Sequence, residues 1–108
     1  MSPPPKLVVP DALKHIKLKG RENYRYWASS WYAYLKSLDM QDHLDYCRDD
    51  DKAHRMADGA LLGLMLSTIE KQVLNSFSHS ITDCSSLWDE LKLRYEPAVL
   101  SQYRTNYP

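Results

Sequence analysis

The sequence predicts an all-α fold, a compact bundle of four to five helices around one core. Apolar residues recur at three- and four-residue steps in several separate stretches, which is the signature of helices with one buried stripe. No stretch alternates apolar and polar residues between turn residues of the hairpin kind, so strands are not expected. A chain of 108 residues, 44% hydrophobic and 26% charged, has material for a single folded domain.

Residues 1–12 form a proline-rich lead expected to be flexible. From Leu7 to Lys19 apolar and basic residues mix around Pro10, suggesting an extended arm with one helical turn from Asp11, closed by Gly20. The first clear helix is expected over Asn23–Ser37, with Asn23 as N-cap and a stripe of Tyr24, Trp27, Trp31, Tyr34, Leu35 and Leu38. A short second helix is expected over Met40–Tyr46. Asp49, Asp50 and Asp51 then favour the positive end of a long helix over Asp51–Ile69. Its apolar positions are Ala53, Met56, Ala57, Ala60, Leu61, Leu64 and Met65, with Leu62 and Leu66 on the far side. A helix apolar nearly all round should be central or should face a partner. Gly59 and Gly63 each cost about 1 kcal/mol relative to alanine there, and suggest close approach of another helix or a break. Lys71–Phe77 reads as a fourth helix. The last, Cys84–Tyr95, is capped by Thr82 or Asp83, carries the stripe Leu87, Trp88, Leu91 and Tyr95, and ends before Pro97.

Composition excludes several classes. No run reaches the roughly 20 apolar residues of a membrane span, and no secretory pattern opens the chain. Cys47 and Cys84 cannot make a disulfide scaffold and read as reduced thiols of an intracellular protein. Charge balances in total but not along the chain. Residues 1–36 hold seven basic side chains against Asp11 and Glu22, a net of +5, whereas residues 37–58 hold seven aspartates against three basic residues, a net of −4. Opposite halves can steer head-to-tail contacts between copies.

No catalytic, cofactor-binding or metal site is expected. His15, His43, His54 and His79 lack zinc spacing, and His43 with Cys47, four apart, supplies only two ligands. Three glycines cannot build a phosphate loop. Ser78, His79, Ser80 and Asp83 read as a capped turn rather than a hydrolytic cluster. Asp45, Asp49, Asp50 and Asp51 lack the spacing of a calcium loop. Tyr26 and Tyr32 fall off the stripe of the first helix. With Leu62 and Leu66 they form the candidate self-association surface, since tyrosine is enriched at interfaces. The basic stretch Lys14–Arg25 is the candidate contact for nucleic acid.

Leu18, Gly20, Asn23, Tyr24 and Trp27 stand as L-x-G-x-x-N-Y-x-x-W, followed by Leu35, Leu38, Asp39 and Leu44, and by Asp51, Ala53 and Ala57. The pattern closes on Leu87, Trp88, Leu91 and Tyr95, as L-W-x-x-L-x-x-x-Y. This order and spacing resembles the N-terminal capsid domain of Gag from copia-type LTR retrotransposons, over residues 13–97. The resemblance implies a retroviral-capsid-N-terminal-domain-like fold in which Tyr24, Trp27, Trp88, Leu91 and Tyr95 are core, to which the stripe of the first helix adds Trp31 and Leu35. It implies a structural protein whose copies self-associate into cytoplasmic virus-like particles around the element's RNA, with no enzyme activity, cofactor or small-molecule substrate. RNA contact would come through parts of Gag outside this chain. Residues 98–108 would be a tail or the start of a linker to a second domain. The alternative is a domesticated Gag-like domain acting as a monomeric protein-interaction adaptor.

Overall fold

A computed structural model describes residues 6–46, 50–77 and 81–96. It contains four α-helices: α1 (Arg21–Ser37), α2 (Lys52–Ser67), the single turn α3 (Lys71–Leu74) and α4 (Cys84–Tyr95). Two 3₁₀ turns, Asp11–Leu13 and Gln41–Leu44, precede α1 and α2.

Helix α1 starts two residues earlier than the sequence suggests. Gly20 is its N-cap, at φ 156° and ψ −156°, a conformation open essentially to glycine alone. Asn23 is therefore not the cap. It sits one turn inside and reaches back, its Oδ1 accepting from the Lys19 N–H (2.9 Å) and the Gly20 N–H (3.4 Å). Its Nδ2 donates to the Lys17 carbonyl at 2.8 Å, so one side chain fixes the whole approach to the helix. At the other end Asp39 takes a left-handed φ of 57°, which Asp tolerates, and the Met40 N–H closes onto the Leu35 carbonyl.

The expected second helix, Met40–Tyr46, is a 3₁₀ turn instead. It follows the Asp39 reversal directly and has too few residues to repay helix nucleation. Helix α2 begins where Asp51 accepts a hydrogen bond from the His54 N–H at 3.2 Å, an ordinary N-cap. It ends at Ser67 rather than Ile69, because Thr68 turns the chain out of the helix. Leu18 then pairs with this exit. Its N–H donates to the Thr68 carbonyl (2.8 Å), and its own carbonyl accepts from the Glu70 N–H (2.9 Å). The fourth expected helix, Lys71–Phe77, shrinks to Lys71–Leu74. Asp83 caps α4, accepting from the Ser86 N–H at 2.8 Å.

The core joins α1 (Tyr24, Trp27, Trp31, Leu35), α2 (Leu61, Met65) and α4 (Cys84, Leu87, Trp88, Leu91), with Leu13, Leu18, Leu44, Ile69 and Val73 around them. Trp27 meets Trp31 and Trp88 at ring-centroid distances of 6.4 and 6.1 Å. Tyr95 is half-buried at the margin, its ring 5.3 Å from Tyr24, because it is the last residue of α4. Leu7 and Val9 pack against the core, and the Val8 N–H donates to the Tyr34 hydroxyl at 2.9 Å. Residues 1–5 of the lead and the tail beyond Glu96 lie outside the described residues.

Candidate functional site

Helix α2 carries two apolar faces, and the described residues cover only one. Asp58, Leu61, Met65 and then Thr68 point inward and are buried. Ala53, Met56 and Ala60, expected in the buried stripe, are exposed instead, with Met56 66% accessible. Together with Ala57 and Leu64 they floor a groove of about 750 Å³. Leu7 of the arm, Leu38 and Met40 of the turn after α1, and His43 of the second 3₁₀ turn form its walls. Gly59 and Gly63 lie exposed on the same helix, with nothing within 4 Å of where a Cβ would stand. They mark neither a break in α2 nor a close contact among the described residues.

At one wall of the groove lies a buried polar cluster. Asp58 is 3% and His43 5% accessible. Asp58 Oδ1 lies 2.9 Å from His43 Nδ1, and its Oδ2 accepts from the Cys84 N–H at 3.2 Å. A buried carboxylate is tolerable only when paired and hydrogen-bonded. Here an imidazole and the positive end of α4 do this together. The Cys84 thiol donates back to the Asp58 carbonyl at 3.3 Å. His54, one turn before Asp58, stacks on His43 with ring centroids 3.9 Å apart and planes at 10°, and the Tyr46 ring lies parallel to it at 6.3 Å. His54 Nε2 is closed off from solvent and has no hydrogen-bond partner among the described residues. Sequence reasoning missed this cluster because His43 and Asp58 are 15 residues apart. The available signal was a carboxylate at an inward position of an otherwise apolar helix.

A second polar centre holds the core itself. Thr68 Oγ1 accepts from the Trp27 indole (2.9 Å) and the Trp31 indole (3.0 Å), and donates to the Met65 carbonyl at 2.7 Å. Its donor and both acceptor sites are thus used. Two buried tryptophans four apart need an acceptor for each N–H, and that demand was legible in the sequence.

The other sequence-predicted residues are scattered. Leu62 and Leu66 are half-buried and pack against the core rather than forming an outward patch. Tyr26 and Tyr32 are 42% and 46% accessible, and the Tyr26 hydroxyl donates to the Ala12 carbonyl at 3.2 Å. These four do not make one surface with the groove. Asp51 and Asp83 are helix caps. Burial opposes ionisation of Asp83, but hydrogen bonds from the Ser86 N–H and the Ser85 and Ser86 hydroxyls together hold its carboxyl below the usual value. Burial, seconded by the Glu96 carboxylate that accepts from its hydroxyl at 3.3 Å, pushes the Tyr24 phenol well above the usual range. In the basic stretch, Lys14 is paired with Asp11 at 2.9 Å, while Lys17, Lys19, Arg21 and Arg25 are exposed. Cys47, Asp49, Ser78, His79 and Ser80 lie outside the described residues. No described helix is long and apolar enough to cross a membrane.

Compared with protein-family models, with curated proteins and with solved structures, the chain matches none.

Proposed function

We propose that this chain is a structural domain of the Gag type, whose copies associate into a shell, and that the groove on α2 receives the neighbouring copy. The observation that carries this reading is an apolar groove that none of the described residues fills, on an otherwise well-packed domain. Exposed apolar surface of this kind is a common mark of protein interfaces. The sequence pattern from Leu18 to Tyr95, which resembles that of copia-type Gag, supports the class. Charge supports a second copy as occupant. Leu38, Met40, His43, Ala53 and Met56 of the groove fall within the acidic stretch 37–58, and the exposed basic residues of Lys14–Arg25 are available on another copy. Such a head-to-tail contact joins two different faces and propagates, as a lattice requires. Each contact needs only a few kcal/mol, because neighbours in a lattice add avidity.

Light scattering behind size exclusion, over a concentration series at two salt levels, tests this. The mass should grow above 12.6 kDa with concentration and grow less at high salt. Met56→Glu places a charge in the groove at a site too exposed to unfold the domain, and should hold the chain monomeric. If Met56→Glu associates like the wild type, the groove is not the contact. A strict wild-type monomer at every concentration removes assembly by this domain and favours the monomeric adaptor, with the groove receiving a helix or strand of another protein.

A further inference from the structure

The His43, His54 and Asp58 cluster has the composition of a metal site, although the spacing of these residues along the chain does not suggest one. We infer that these three side chains hold one divalent transition-metal ion of the zinc class. One ligand atom from each lies within 4.8 Å of the others. His54 and Asp58 are one helical turn apart on α2, so both project to the same side. His43 comes from the 3₁₀ turn that faces them. Two imidazoles and one carboxylate are the donor set of open, four-coordinate zinc sites, and they suit Zn²⁺ better than the all-oxygen preference of Mg²⁺ or Ca²⁺.

Two details point to a ligand rather than to a finished hydrogen-bond network. His54 Nε2 is a buried polar atom with no hydrogen-bond partner among the described residues, a costly state that an ion would relieve. The 2.9 Å separation of His43 Nδ1 and Asp58 Oδ1 is already close to the spacing of two donors on one small cation, about 3.4 Å for tetrahedral bonds of roughly 2.1 Å. The metal would take the place of the proton between them, and that proton moves through solvent to His43 Nε2, so that the ring stays neutral and offers its Nδ1 lone pair. Asp58 is meanwhile held by the Cys84 N–H through its other oxygen, as ligating carboxylates commonly are. Capture requires the His54 ring to swing off the face of His43. It gives up a stacking contact and breaks no hydrogen bond made by Nε2. A water completes the fourth position. The ion would clamp the second 3₁₀ turn to α2 and, through Asp58, to the start of α4, stiffening the wall of the groove. The inference stands on these side chains alone and does not depend on what the groove receives.

Titration of the full chain with Co²⁺, followed by its visible absorption and by displacement with Zn²⁺, tests the site. One equivalent should give the intense bands of a four-coordinate ion without a thiolate charge-transfer band. Zn²⁺ at about a hundredfold excess over its Kd should raise the melting temperature by about 10 °C, reversed by EDTA. His54→Ala should keep the helical circular dichroism, since His54 is only half-buried and alanine favours helix, yet lose more than about a hundredfold in affinity. Cys47→Ser should bind like the wild type. Failure to bind a stoichiometric ion, a thiolate band that vanishes in Cys47→Ser, or affinity unchanged in His54→Ala would each overturn the assignment.

Discussion

The Thr68 hydroxyl is the most economical point at which to test the account of the core. Trp31 is fully buried, and its indole N–H has one partner among the described residues, Thr68 Oγ1 at 3.0 Å. The Trp27 N–H has two, Thr68 Oγ1 at 2.9 Å and the Thr68 carbonyl at 3.2 Å. Thr68→Val keeps the shape and removes the hydroxyl. Trp27 falls back on the carbonyl, but the Trp31 N–H is left with nothing. An orphaned buried donor costs about 1–3 kcal/mol. The expected loss is therefore about 2 kcal/mol, or a fall in melting temperature of about 10 °C for a domain of this size. Thr68→Ser makes the opposite change. It keeps all three hydrogen bonds and deletes one methyl group, which costs about 1 kcal/mol. Urea unfolding followed by tryptophan fluorescence measures both, with the slope checked for constancy. In a Trp31→Phe background, which has no N–H to orphan, Thr68→Val should cost about 1–2 kcal/mol less than in the wild type. If Thr68→Val proves no more damaging than Thr68→Ser, shape rather than hydrogen bonding holds this centre and the reasoning fails.

Other expectations follow from the same structure. Trp27→Ala and Trp88→Ala should each cost about 3–5 kcal/mol, a large part of the roughly 5–15 kcal/mol available to a small domain, so either should lower the melting temperature strongly. Gly59→Ala and Gly63→Ala should each raise stability by about 0.5–1 kcal/mol, because the new methyl meets open space; a loss would show that the helix approaches something there. Asp83 is ionised more readily folded than unfolded, so its contribution is present above about pH 4 and fades as pH falls through its lowered folded value. Asp83→Asn, still a good cap, should match the wild type at neutral pH and show a shallower acid transition; coincident pH profiles would contradict the lowered value.

What the amino-acid sequence determined by itself was the helical class and which residues of α1 and α4 face inward. Both helices are amphipathic with one apolar stripe, and a single stripe can be buried in only one way. Tyr24, Trp27, Trp31, Leu35, Trp88 and Leu91 are buried for that reason. The caps at Asp51 and Asp83 were equally local, since an N-cap is made by a side chain and the N–H groups two or three residues on.

Tertiary structure decided the rest. Helix α2 is apolar on two faces, so periodicity could not choose between Leu61 and Met65 on one side and Met56 and Ala60 on the other. The choice was made by the neighbours. Thr68 takes the two indoles of α1, and Asp58 takes the N-terminus of α4, which turns those residues inward and leaves the alanine and methionine face open. Both polar centres join residues 15 to 41 positions apart, beyond the reach of any local pattern. The groove and the histidine–aspartate cluster beside it are products of that choice. They exist because one helix has more apolar surface than the other described residues cover, and because its single buried carboxylate had to find partners on other elements.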